Sequence, residues 1–199
     1  AMALWLIDQG LKDRCHFVFA DTKWEHPDLY KYIDEVLEPK LGKIHRVTSE
    51  KYPGGMPDMI RKKGAFPARV LRFCTENLKI NPLREFRSKL LEKGIDTINV
   101  VGIRAEESVR RSKFLEWDDG GPMSCDTWRP LISWLLQDVV DIHAKHNITP
   151  CSLYLREKHP SSRVGCYPCI MSRKSEIRAV AEADSWRIDE IRQLELEVG

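Results

Sequence analysis

Residues 98–108 read Ile98-Asn99-Val100-Val101-Gly102-Ile103-Arg104-Ala105-Glu106-Glu107-Ser108. The first six positions form a short, mostly β-branched run of strand length, and the next five turn polar. A strand that empties into a polar loop at its carboxyl end is where open parallel α/β sheets bind ligands. Gly102 would let the backbone approach a ligand closely. Arg104 could offer its donor fork to a phosphate or sulfate. Arg110, Arg111 and Lys113 follow in the same loop. The competing reading for Arg104 is a salt bridge to Glu106 or Glu107.

Working upstream, Asn81-Pro82 reads as a helix start, with Leu83, Phe86, Leu90 and Leu91 facing inward and Gly94 as the stop. Residues 49–72 are rich in Pro and Gly and read as loop with one short helix. Residues 43–48 and 16–20 are further strands, the latter ending at the polar pair Asp21-Thr22. Pro27 opens a helix between them, and residues 2–10 form another that stops at Gly10. Downstream, residues 104–127 read as a long loop and 128–132 as a short strand. Ser133 is placed to cap a helix to about residue 146. Residues 147–171 are irregular, and the chain is helical from 172 onward, broken near Ser185. Strands alternating with helices predict an α/β fold with a mainly parallel, Rossmann-like sheet flanked by helices. The division expected is a nucleotide-binding α/β domain over 1–146 and a Cys-x-x-Cys loop with C-terminal helices over 147–199.

The 199 residues carry 32 Lys+Arg, 30 Asp+Glu and six cysteines. Length and apolar content suit one globular domain with a small appendage. No apolar run approaches the roughly 18–20 residues of a membrane span, and the first residues lack the basic region of a signal peptide. A cytoplasmic location is expected, and the cysteines then read as metal ligands, reactive thiols or core residues rather than a disulfide framework. Residues 61–113 hold 14 Lys/Arg against 6 Asp/Glu, whereas 175–199 hold 3 against 7. A local positive excess in a near-neutral chain points to one anionic ligand, not to a wholly basic nucleic-acid binder.

Cys166-Tyr167-Pro168-Cys169 is a C-x-x-C, spaced to point two thiolates at one metal or to act as a redox pair. Cys74 lies beside Arg72, Thr75 and Lys79, and Cys125 lies in the polar loop before Trp128. Neither sits in an apolar periodic stretch, so Cys74, Cys125, Cys166 and Cys169 are the candidate four-thiolate set. Four thiolates suit zinc or an iron–sulfur cluster, and spacing does not choose. The alternative leaves Cys74 and Cys125 as unrelated free thiols.

Val18-Phe19-Ala20-Asp21-Thr22, Phe73-Cys74-Thr75-Glu76, Gly102 to Ser108, Trp128-Arg129-Pro130-Leu131 and Gly165-Cys166-Tyr167-Pro168-Cys169 occur in that order. Together they resemble the phosphoadenosine phosphosulfate (PAPS) reductase family of the PP-loop adenine-nucleotide α-hydrolase superfamily, over roughly residues 3–175. The resemblance implies an adenine nucleotide (PAPS, APS or ATP) at the sheet's carboxyl edge. Asp21 and Thr22 would then lie near the adenosine, and Arg104, Arg110 and Arg111 would face the phosphate or phosphosulfate. It also implies a [4Fe–4S] cluster on Cys74, Cys166 and Cys169, with zinc as the alternative. The family commonly has Cys-Cys where this chain has Cys74-Thr75, so Cys125 is taken as the fourth ligand. A thiol reductant or a nucleic-acid substrate would be the partner, and a dimer is one oligomeric option.

Two departures from the family pattern stand out. The phosphate loop S-G-G-x-D-S and the strand before it are missing, because the sequence begins inside the expected first helix. Their loss should leave a gap or unpaired sheet edges. No cysteine follows Cys169, where PAPS reductases carry an attacking tail thiol. The expected activity is reduction of an adenylylated sulfur compound, or ATP-dependent adenylylation for sulfur transfer. It is expected of the full-length gene product rather than of these residues alone. The alternative is a catalytically inactive member serving as a metal-stabilised binding or regulatory protein.

Overall fold

A computed structural model describes residues 1–161 and 163–199. The chain forms two compact units that interleave in sequence. One comprises Ala1–Phe17, Lys43–His45 and Leu83–Thr149; the other comprises Val18–Gly42, Arg46–Pro82 and Pro150–Gly199. The second unit thus joins 18–42 and 46–82 to the residues from 150 onward.

In the first unit, α1 (Met2–Asp8) ends before Gly10, whose φ of +70° suits a residue without a Cβ. Strands β3 (Asn99–Val100), β4 (Trp117–Asp118) and β5 (Thr127–Trp128) form a sheet ordered β3-β5-β4. β3 runs parallel to β5, and β4 antiparallel to it. The strand read at 98–103 is thus a short parallel pairing, and the loop read at 104–127 contains a strand. Trp117 and Asp118 are both exposed, so no alternation marks them. The helix expected from Ser133 starts later, as α5 (Leu136–Lys145). Asp138 Oδ2 accepts from Leu135 N at 2.7 Å and takes the capping role assigned to Ser133. Asp8 receives Lys145 Nζ at 2.7 Å and pairs with His146 Nε2 at 3.0 Å. Leu4, Leu6, Leu131 and Ile142 are buried, and Trp5 packs edge-on to Trp128 with ring centroids 5.4 Å apart.

The second unit holds most of β1 (Phe17–Ala20) and half of β2 (Ile44–Val47), which pair as a two-stranded sheet. Among the described residues, the named strands thus pair in two sheets. α2 (Pro27–Tyr32) has Pro27 at its first position, as expected, and His26 Nδ1 accepts from Asp28 N at 3.0 Å. It continues through a π-turn at Ile33–Leu37 into Glu38–Leu41. The segment before α4 (Asn81–Leu91) repeats this pattern: Phe73–Thr75, then a π-turn at Glu76–Ile80. Pro39 and Pro82 each follow their π-turn by two residues. A proline in a helix lacks a donor and crowds the preceding turn, and the wider π-turn accommodates both. Asn81-Pro82 therefore continues a helical run instead of starting one.

The core of this unit joins Trp24, Tyr52, Met56, Met59, Ile60, Cys74, Leu78 and Leu194. α3 (Gly55–Lys63) and α8 (Ser185–Val198) contribute to it, while α6 (Ser152–Leu155) and α7 (Lys174–Ala183) precede α8 in the same unit, with the break between α7 and α8 at Asp184 as expected. Among the described residues, no helix is long and apolar enough to cross a membrane.

Candidate functional site

The site of the second unit is built on the turn after β1. Asp21 N donates to Val47 O at 2.9 Å, which fixes the strand end. Lys23 then takes φ = +54°, a left-handed conformation strained for a side-chain-bearing residue. Asp21 stabilises it by accepting Lys23 N at 2.9 Å and Lys23 Nζ at 2.7 Å. Burial alone would raise the Asp21 pKa, but these bonds and the Tyr30 hydroxyl at 2.7 Å hold it low. Glu25, 4% exposed, accepts from Thr22 Oγ1 at 2.7 Å, Trp24 N at 3.1 Å, Tyr30 OH at 3.1 Å and Thr22 N at 3.2 Å. A buried carboxylate persists only with such a full complement of donors. Thr22 O in turn accepts Met56 N at 2.8 Å. A Cβ at Gly55, whose φ is +69°, would lie 2.1 Å from that carbonyl, so only glycine fits there.

Three thiols gather beside this turn. Cys166 bridges Glu25 through the backbone, and its sulfur lies 3.5 Å from Thr22 Oγ1 and 3.8 Å from Glu25 Oε1. Cys74, Cys166, Cys169, Thr22, Lys79 and Arg72 line a cavity of about 130 Å³, along with Thr75. Burial pushes the Cys166 thiol's pKa up; Lys79 pulls it down and Glu25 adds to the rise. Burial also raises Cys74, reinforced by Cys166 and Cys169. Lys79 responds in kind: burial alone would lower its pKa, but the Cys166 sulfur and Glu25 raise it. Lys79 offsets only part of the rise, so Cys166 stays a thiol above its ordinary pKa until a further charge or ligand enters the cavity.

The thiol loop is anchored at three points. Tyr167 N donates to Trp24 O at 2.7 Å, and Trp24 Nε1 to Pro168 O at 3.2 Å. Tyr167 OH donates to Asp184 Oδ2 at 2.6 Å, in the break between α7 and α8. Asp184 also receives Arg156 Nη1 at 2.6 Å and lies 3.3 Å from His26 Nε2. His26 Nδ1 accepts from Asp28 N, and its Nε2 faces both Asp184 and Arg156 Nη2, the latter at 3.1 Å. Burial works to raise the Asp184 carboxyl, but Arg156, Tyr167 and His26 prevail and hold its pKa down at about 2.

The structure thus brings Cys74, Cys166 and Cys169 to one cavity, with Thr22 on its wall and Asp21 bracing the turn beside it. Cys125 belongs to the other unit, in the turn before β5, where its carbonyl accepts Gly121 N at 3.0 Å. Among the described residues, no three His, Cys, Asp or Glu side chains are placed to hold a metal ion together. Gly102, Arg104, Arg110 and Arg111 also lie in the first unit. A Cβ at Gly102 would stand 3.2 Å from Met2 Cβ, so its bareness serves the packing of α1. Arg104 pairs with Glu106 at 2.5 Å, and Glu107 faces both Arg104 and Arg111. The local salt bridge is therefore the contact Arg104 makes. Sequence reasoning missed Glu25, Tyr30, Lys79, Arg156 and Asp184 as parts of the site. The C-x-x-C was the available signal for its location, and nothing in the local pattern marks the others as inward-facing.

Residues 1–172 match the family described as the phosphoadenosine phosphosulfate reductase domain. A 37.8 kDa protein encoded in the gpa 5′ region of Escherichia phage 186 is 31% identical, over 82% of this chain and 61% of that protein. The nin region protein ORF290 of Escherichia phage lambda is 25% identical, over 83% of this chain and 65% of its own length. Both are described as uncharacterized, and the chain spans less than two thirds of either. The crystal structure of phosphoadenylyl-sulfate (PAPS) reductase from Candida auris, a phosphate complex, aligns with a TM-score of 0.56. That alignment covers 84% of this chain and 78% of that one at 12% identity, a likeness of fold. With an α/β architecture of that type and a domain match over most of its length, the chain belongs to the phosphoadenosine phosphosulfate reductase domain family.

Proposed function

We propose that the protein binds an adenine nucleotide and acts on sulfur bonded to it, either reducing a phosphosulfate or taking part in ATP-dependent sulfur transfer. The observation that carries this reading is the 130 Å³ cavity, where three thiols meet Lys79 and Arg72. The two cations would balance the negative charge of a sulfonate or phosphate. In the reductive version, a cavity thiolate attacks the sulfur, the S–O bond to the nucleotide breaks, the nucleotide leaves as its phosphate, and the sulfur stays on the cysteine as an S-sulfonate. A second cavity thiolate then attacks that cysteine's sulfur, expelling sulfite and leaving a disulfide. The chemistry rests on the thiols themselves. Three thiols share the cavity, and among the described residues no group of three His, Cys, Asp or Glu side chains is placed to hold a metal ion.

A non-catalytic binding role is favoured by one observation: Arg104 and Arg111 are already paired with Glu106 and Glu107. Titration calorimetry with PAPS, APS and ATP tests both readings, coupled to assays for sulfite and pyrophosphate release. Binding with turnover supports the enzyme. Binding without turnover supports the second reading, and no binding by any of the three nucleotides refutes both.

A further inference from the structure

Cys166 and Cys169 are the two residues common to both cavities described in the second unit. The inner cavity is the thiol site. The outer one, of about 240 Å³, is bounded by the thiol loop and α7, with Ser161, Arg163, Ser172 and Ser175 among its lining residues. Both thiols are free, and each belongs to the wall between two spaces of different chemistry. Two intervening residues let neighbouring sulfurs reach one another, the geometry of dithiols that open and close a disulfide. Cys74, the third thiol, borders the inner cavity alone. The anchors from Tyr167 and Pro168 hold the loop's backbone while leaving the sulfurs at the wall.

We propose that Cys166 and Cys169 form a redox-active dithiol that exchanges with a low-molecular-weight disulfide of the glutathione class through the outer cavity. Arg163 and the cavity serines suit the carboxylates and amides of such a peptide, and Glu176 on the same lining suits its ammonium group. The Cys169 thiolate attacks one sulfur of the disulfide, its S–S bond breaks, and one thiolate leaves and takes up a proton. Cys166 then releases its proton and attacks Cys169 Sγ, expelling the second thiol. The protein loses two electrons and two protons, and the small disulfide becomes two thiols. In reverse, small thiols recharge the pair. The couple stands without the nucleotide reading, whereas its use as the two-electron donor to a nucleotide-borne sulfonate rests on that reading.

The test equilibrates the purified full chain in glutathione buffers of stepped ratio, followed by acid quench, alkylation and mass analysis of peptides. The expected result is a single two-electron curve in which the peptide carrying Cys166 and Cys169 loses both alkylation sites together. Cys166→Ser should trap a glutathione adduct on Cys169, Cys169→Ser should show none, and Cys74→Ser should leave the curve unchanged. The proposal is overturned if both thiols stay alkylatable at every ratio. It is equally overturned if Cys166 pairs with Cys74, or if the chain purifies with iron or zinc that protects the pair. Calorimetry on the two redox forms separates the hypotheses: a disulfide that forms in a protein unable to bind nucleotide leaves this couple intact and removes only the proposed function.

Discussion

Glu25 is the charge on which the thiol site turns, since its carboxylate ties Thr22, Trp24 and Tyr30 while its backbone pairs with Cys166. Glu25→Gln replaces an acceptor with a donor against backbone N–H groups and should cost about 2–4 kcal/mol. Urea denaturation measures this, and a loss under about 0.5 kcal/mol would show that the donors find other partners. Lys79 acts on the opposite charge. Because it pulls the Cys166 pKa down, Lys79→Met should raise that pKa further. Alkylation of Cys166 at mildly alkaline pH should then slow by roughly threefold or more, in proportion to the lost thiolate. Lys79→Arg should keep most of the rate. An unchanged rate in Lys79→Met would mean that the ammonium does not face the sulfur.

At the scale of elements, α3 and α8 meet in the core while an ion pair decorates their surface. Leu194 is 1% exposed and packs with Met59 and Ile60, so Leu194→Ala should cost about 2–5 kcal/mol. Arg61 Nε holds Glu197 Oε2 at 2.6 Å, but the pair is largely exposed and screened by water, so Glu197→Ala should leave stability nearly unchanged. Thermal unfolding of both variants checks the contrast, and equal losses would contradict it. Gly55→Ala sets a Cβ against the Thr22 carbonyl in a left-handed conformation. It should lower the melting temperature more than an exposed Gly10→Ala, for which no atom lies within 4 Å. What was legible at this scale followed from local rules: Pro27 at a helix start, Gly10 beyond a helix end, the break near Ser185. Pro82 misled because a π-turn absorbs a proline that local rules place at a helix start. β4 stayed hidden because both of its residues face solvent, so its pairing with β5 leaves no period in the sequence.

For the molecule as a whole, the clamp on Asp184 sets an acid limb to stability. Its folded pKa, about 2, lies below the ordinary 3.8. The stabilisation is therefore complete above the ordinary value and lost as pH falls towards 2. Asp184→Asn should flatten the dependence of stability on pH between about 4 and 2. A wild-type slope that persists in the variant would assign the limb to other carboxylates. The site's location was legible in the C-x-x-C and Cys74, because spacing and polar neighbours are local properties. Glu25, Lys79 and Asp184 were not, because a charge in a sequence carries no sign of burial. The pairing of Arg104 with its own loop was foreseeable from Glu106 and Glu107 two and three positions on.

Arg187 stacks its guanidinium 4.2 Å from the Trp24 ring and 4.5 Å from Trp186, and Trp24 bonds to the thiol loop through its indole nitrogen. That arrangement is also an optical one. Trp24 is a buried, cation-flanked fluorophore wired to the backbone of Pro168. Closure of a Cys166–Cys169 bond should therefore shift its emission, and in a background where Trp5, Trp117, Trp128, Trp134 and Trp186 are replaced by Phe the redox state of the loop can be followed in real time without labels.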